Sequence, residues 1–155
     1  MNETKKPMVI LMAEDDPDDR LLAQDALAES KLANELHFVV DGEELMDYLG
    51  HRGKFTNLQG APPPGLILLD LNMPRKDGRE ALKEIKSDPA LKRIPVVVLT
   101  TSQAEEDILR SYDLGANSFI RKPVTFEGLV NVIRAISYYW FEIVELPLNR
   151  GGKVK

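Results

Sequence analysis

The chain of 155 residues contains no cysteine. That absence excludes a disulfide framework and any thiolate chemistry. Histidine is scarce as well: His37 and His51 are isolated, one in a strand-like run and one in loop-like surroundings, so neither a histidine metal site nor a phosphohistidine donor is indicated. No apolar run approaches the roughly 20 residues that span a bilayer. The opening "MNETKKP" lacks the features of a signal peptide. Basic residues number 20 against 25 acidic ones, a net charge of −5, and they scatter instead of clustering, so the footprint of a nucleic-acid binder is missing. What remains is 43% hydrophobic and 29% charged, the composition of an ordinary soluble domain long enough to bury a core. Together these features favour the cytoplasm.

Five apolar segments read as strands: "MVILMA" (8–13), "LHFVV" (36–40), "LILLD" (66–70), "IPVVVLT" (94–100) and "SFIRK" (118–122). The first, third and fourth are apolar at consecutive positions, as strands buried on both faces of a parallel sheet are. The fifth is more polar and suits an edge. Amphipathic stretches lie between them, with Leu21, Leu22, Ala26 and Leu27 on one face, then Leu45, Met46 and Leu49, then Ala81, Leu82 and Ile85, then Ile108, Leu109 and Tyr112. A last helix is expected from about 125 to 145. The alternation predicts an α/β fold, a doubly wound five-stranded parallel sheet with helices on both faces. A single domain over 8–146 is expected, flanked by tails at 1–7 and 147–155. The proline- and glycine-rich connection "HRGKFTNLQGAPPPG" (51–65) is longer than such folds usually need.

In a sheet wound this way, right-handed crossovers bring the carboxyl ends of the strands to one edge, where ligands bind. The first strand runs into "EDDPDD". Asp16-Pro17-Asp18-Asp19 has a sufficient explanation as a helix start, with Asp at the N-cap, Pro in the first helical position and acids in the first turn. On that reading, a lysine at Asp18 or Asp19 costs mainly helix stability. Glu14 and Asp15 precede the helix and are left without such an explanation. Strand three ends in Asp70, strand four in Thr100, strand five in Lys122-Pro123. Glu14, Asp15, Asp70, Thr100 and Lys122 are therefore expected in one pocket. Three crowded carboxylates repel, and a hard divalent cation with oxygen ligands, together with an ammonium, relieves the repulsion.

The motifs "AEDDP", "LLDLNMPRKDG", "VVVLTTS" and "SFIRKP", in that order, make the chain resemble a response-regulator receiver domain, which has a flavodoxin-like fold. The run "GKFTNLQGAPPPGLILLDLNMPRKDGREALKEIKSDPALKRIPVVVLTTS" and the tail "YYWFEIVELP" look most like the single-domain regulators paired with bacterial and cyanobacterial phytochrome histidine kinases. The resemblance implies that Asp70 is a phosphoacceptor, receiving a phosphoryl group from a kinase phosphohistidine. It implies Mg²⁺, or alternatively Mn²⁺, held by Glu14 through a water, by Asp15 and Asp70, and by the backbone carbonyl of Asn72. Thr100, with Thr101 beside it, and Lys122 would bind the phosphoryl group, and the rotamer of Phe119 would follow Thr100. Asn72 and Ser102 occupy positions that tune phosphoryl lifetime. The bond before Pro123 would be cis. Such a chain is a phosphoacceptor that assists its own phosphorylation and dephosphorylation, not an enzyme acting on a separate substrate.

Little chain follows Pro123, so output is expected through protein contacts. Helical spacing puts Leu129, Ile133, Ile136, Trp140 and Ile143 on one face and leaves Val130, Tyr138 and Phe141 elsewhere, poorly covered by a monomer. A homodimer through the last helix and the "VELPL" arm follows, with Trp140, Phe141, Ile143 and Leu146 at the contact. Neither nucleic acid nor membrane is an expected partner. Among rivals, a haloacid-dehalogenase-like phosphatase needs a second Asp where Asn72 stands. An EF-hand loop fails for want of its central Gly and terminal Glu across 14–25. A receiver-like interaction module that is never phosphorylated remains the other alternative.

Overall fold

The computed structural model describes residues 8–29, 34–101 and 104–140. Strands β1 (Met8–Ala13), β2 (Asn34–Val39), β3 (Leu66–Leu69), β4 (Val96–Thr100) and β5 (Ser118–Arg121) alternate with helices α1 (Pro17–Glu29), α2 (Gly42–Gly50), α3 (Gly78–Ser87), α4 (Glu105–Asp113) and α5 (Phe126–Tyr138). All strand pairs are parallel, in the order β2-β1-β3-β4-β5. The expected doubly wound sheet is present. The second strand is displaced, beginning at Asn34 and ending at Val39 rather than spanning 36–40. The long connection after α2 holds a short 3-10 helix, Gly53–Leu58, from which Phe55 packs edge-on against Tyr48.

The consecutive apolar residues of the central strands feed two separate cores, because successive side chains point to opposite faces. Leu11, Ile67, Leu69, Val96 and Val98 meet Leu45, Leu82 and Ile85 of α2 and α3 on one face. Ile10, Met12, Leu66, Leu68, Val97 and Leu99 meet Ala23, Ala26, Leu129, Ile133 and Ile136 of α1 and α5 on the other. Helix starts follow local chemistry. Pro17 occupies the first helical position of α1, and the Asp16 carboxylate accepts the backbone N–H of Asp18 at 2.9 Å. Asp41, Asp77 and Thr125 cap α2, α3 and α5 with their side chains.

Three expectations about helix faces do not hold. Leu21 points outward, while Ala26 and Leu27 are buried and Leu22 is half-buried as expected, and Ala23 takes the remaining place on the buried face of α1. On α4 the small Ser111 is the buried residue, Ile108 is half-buried, and Leu109, 67% exposed, and Tyr112 face water. On α5, Val130 is buried and not left uncovered. Trp140, expected at a dimer contact, packs partly on the α1/α5 core of its own chain, with Tyr139 edge-on beside it. Tyr138 and Tyr139 are the exposed aromatics there. The rest of the expected last helix, with Phe141, Ile143, Leu146 and the domain end at 146, lies outside the described residues.

Candidate functional site

Backbone hydrogen bonds continue past the strand ends and fix each site residue against its neighbour. The Glu14 N–H donates to Val39 O at 2.9 Å, the Asp70 N–H to Ala13 O at 3.1 Å and the Lys122 N–H to Thr100 O at 2.8 Å. The three side chains are thereby placed side by side at one sheet edge, as the parallel winding predicts. Gly78 completes the support, since a Cβ there would sit 2.3 Å from Asp70 O, so only glycine lets α3 start this close to the turn.

Asp70 is 6% exposed and hydrogen-bonded on both sides. Its Oδ1 accepts from the fully buried Thr100 hydroxyl at 2.8 Å and from the Asn72 N–H at 3.0 Å. Its Oδ2 faces Lys122 Nζ at 3.3 Å. The amide of Asn72 reaches Thr100 Oγ1 at 3.5 Å. Lys122 Nζ also pairs with Glu14 and, at 2.9 Å, with Asp19 Oδ2. Burial pulls the Lys122 pKa down, but the carboxylates of Glu14, Asp19 and Asp70 outweigh it and raise the pKa above the ordinary lysine value. Glu14 is 1% exposed, and burial pushes its carboxyl up to about 7 against the opposing pull of Lys122.

Glu14, Asp15 and Asp70 each bring a carboxylate oxygen within 4.8 Å of the others. Three carboxylates, those of Glu14, Asp19 and Asp70, face the single ammonium of Lys122, and Asp15 adds a fourth beside Glu14 and Asp70. This excess of hard anionic oxygens at one point fits a divalent cation of the Mg²⁺ or Mn²⁺ kind, which takes such ligands and offsets the buried charge. Asp15 is at the exposed rim and the carboxyl of Glu14 is enclosed.

Of the other expected site residues, Thr101 is exposed just beyond β4, and Ser102 lies outside the described residues. Phe119 is half-buried against the α2/α3 core, and its N–H donates to the Tyr112 hydroxyl at 3.2 Å. The expectation of a cis bond before Pro123 is not met, since no peptide bond among the described residues is cis. Trans is the lower-energy form of an X–Pro bond, and with it Lys122 already reaches its carboxylates.

Asp19 is the site residue that sequence reasoning missed. A helix-start explanation covered it together with Asp18, yet the two point in different directions. The signal was available: Asp19 lies four and seven residues before Ala23 and Ala26, at the head of the buried stripe of α1.

Residues 10–134 match the family described as response regulator receiver domain. The chain is 45% identical over 146 residues to the response regulator Rcp1 of Synechocystis sp. (strain ATCC 27184 / PCC 6803 / Kazusa), a match covering 94% of this chain and 97% of that protein. Among solved structures, the phosphorylated cyanobacterial phytochrome response regulator RcpA is 48% identical, with a TM-score of 0.85 over 91% of this chain and 99% of RcpA. The Mn²⁺-bound form of Rcp1 is 46% identical, with the same TM-score and the same shares of each chain.

Proposed function

The chain belongs to the response regulator receiver family, and from that premise we propose that Asp70 accepts a phosphoryl group from the phosphohistidine of a sensor kinase. The observation that carries this is Asp70 itself, a buried carboxylate held between the Thr100 hydroxyl and the Lys122 ammonium. An Asp70 oxygen attacks phosphorus as the bond from phosphorus to the donor's imidazole nitrogen breaks. The electron pair leaves with that nitrogen, and an acyl phosphate forms. The difficulty is an anion attacking an anion, so the chain's contribution is positioning and charge. Lys122 donates to an oxygen of the transferred group. The Thr100 hydroxyl, already aimed at Asp70, turns its donor to another. Residues Glu14, Asp15 and Asp70, with the Asn72 carbonyl, would hold Mg²⁺ or Mn²⁺, whose charge neutralises the transferring oxygens when it is bound.

The kinase partner is taken to be a phytochrome, on the strength of the likeness to RcpA over nearly the whole of both chains. Signalling then passes through protein contacts, with Phe119 responding to Thr100 and a homodimer formed along the end of α5. The exposed Tyr138 and Tyr139 support that dimer. The phosphatase alternative finds no support, because the residue it needs as a general acid is Asn72, whose amide cannot give up a proton in that way.

The test is incubation with Mg²⁺ and acetyl phosphate of the wild type and of Asp70→Asn. One acid-stable, base-labile phosphate is expected on the wild type and none on the variant. Equal labelling of both would remove Asp70 from its role and favour an interaction module without phosphorylation at this site.

A further inference from the structure

We propose that Asp19 is a positioning residue for Lys122, the group that keeps its ammonium in place once a cation and a phosphoryl group have taken its other partners; this rests on the reading of Asp70 above. An ammonium has three N–H donors, and here three carboxylates face them: Glu14, Asp19 at 2.9 Å and Asp70 at 3.3 Å. Two of the three also belong to the cluster of Glu14, Asp15 and Asp70 that can gather around a metal ion. Asp19 stands outside that cluster. Loading the site therefore draws Glu14 and Asp70 away from the ammonium and leaves Asp19 as its standing partner.

Helix chemistry alone does not explain the contact. An acid in the first turn of α1 interacts favourably with the helix dipole wherever its side chain points, and the exposed Asp18 satisfies that role. Asp19 instead turns inward and meets a lysine 103 residues away in sequence. Its backbone is fixed because α1 packs through Ala23 and Ala26 on the core shared with α5. The carboxylate thus reaches Lys122 from a helix packed on the core and is not among the three carboxylates that gather as candidate metal ligands. A lysine with a long flexible stem gains most from such a fixed counter-charge, because each rotamer that leaves the pocket is one from which it cannot reach the phosphoryl oxygens.

Without Asp19, the ammonium falls back on Glu14 and Asp70. It then competes with the cation for the same oxygens, and one negative charge is also lost from the site. Both effects weaken metal binding. The experiment compares wild type, Asp19→Asn and Asp18→Asn by Mg²⁺ titration calorimetry and by the rate of labelling with acetyl phosphate at saturating Mg²⁺, with circular dichroism confirming the fold. Asp19→Asn is expected to bind Mg²⁺ several-fold more weakly and to be labelled about tenfold more slowly even at saturation. Asp18→Asn is expected to match the wild type in both. In a Lys122→Ala background the Asp19→Asn substitution should change the labelling rate by less than about twofold, because the route through which it acts is gone. A labelled wild type equalled by Asp19→Asn would overturn the proposal, as would an undiminished Asp19→Asn effect without Lys122. A wild type that binds Mg²⁺ but takes no phosphate would instead overturn the Asp70 reading, and this proposal with it.

Discussion

Glu14 is the residue on which acid–base behaviour turns. Its carboxyl is pushed up to about 7 by burial, from 4.5 in the absence of structure, so between those values the metal-free fold holds a proton that the unfolded chain does not. Its stabilising contribution is therefore complete below about pH 4.5 and is lost as pH rises through about 7. Lys122, with a raised pKa, stays an ammonium across that window. A cation needs the carboxylate, so loading must expel the Glu14 proton. Mg²⁺ is expected to bind more tightly as pH rises through about 7, with a fractional proton release near neutrality. Calorimetry in two buffers of different ionisation enthalpy measures that release. Glu14→Gln should abolish it and remove this slope from the pH dependence of metal-free melting. Buffer-independent heats for the wild type at pH 6.5 would contradict the assignment.

Among the elements, α4 departs most from expectation. Its residues Ile108, Leu109 and Tyr112 carry the spacing of a buried face, yet only Ile108 is even half-buried, and polar ties reach the helix as well. Arg79 at the start of α3 forks onto Asp107 at 2.8 and 2.7 Å, and the Tyr112 hydroxyl accepts the N–H of Phe119. The hydrogen bonds to Asp107 raise the Arg79 pKa above its ordinary value. The partners Arg79 and Asp107 lie 28 residues apart, and periodicity carries no information about such pairs. The central strands were legible for the opposite reason, since burial on both faces forces consecutive apolar residues that no other element of this length requires. Asp19 was hidden by a local explanation that was correct for its neighbour. The bond before Pro123 could not be read from the strand-end pattern, because Lys122 reaches its carboxylates with that bond trans. Since both partners of the α3–α4 tie are largely shielded from solvent, Arg79→Ala should cost about 1 kcal/mol. Amide exchange over 105–113 should quicken while protection in β1, β3 and β4 is unchanged. Uniform quickening across the sheet would mean that α4 is not a separately held unit.

For the whole molecule, the sheet order places β1, β3, β4 and β5 in adjacent positions, so residues from four distant stretches of sequence share one edge. That convergence is what made Glu14, Asp15, Asp70, Thr100 and Lys122 readable as a set: each lies at the end of a strand or just past it, and parallel winding does the rest. The surface that passes the signal on is a different problem, because neither spacing nor burial within one chain marks which exposed side chains a partner would cover. Tyr138 and Tyr139 are 57% and 52% exposed at the end of α5, while Trp140 behind them is seated on the chain's own core. Large aromatics fixed on a rigid support lose little entropy on association, which suits them to a contact between copies. Sedimentation velocity of the full chain at micromolar concentration is expected to show a dimer. The double substitution Tyr138→Ser and Tyr139→Ser should raise its dissociation constant at least about tenfold, the loss of roughly 1.4 kcal/mol. Labelling of Asp70 by acetyl phosphate should be unchanged in that variant, because neither tyrosine touches the site at the sheet edge. A wild type that sediments only as monomer, both before and after phosphorylation, would leave α5 a purely intramolecular element and move the output surface elsewhere.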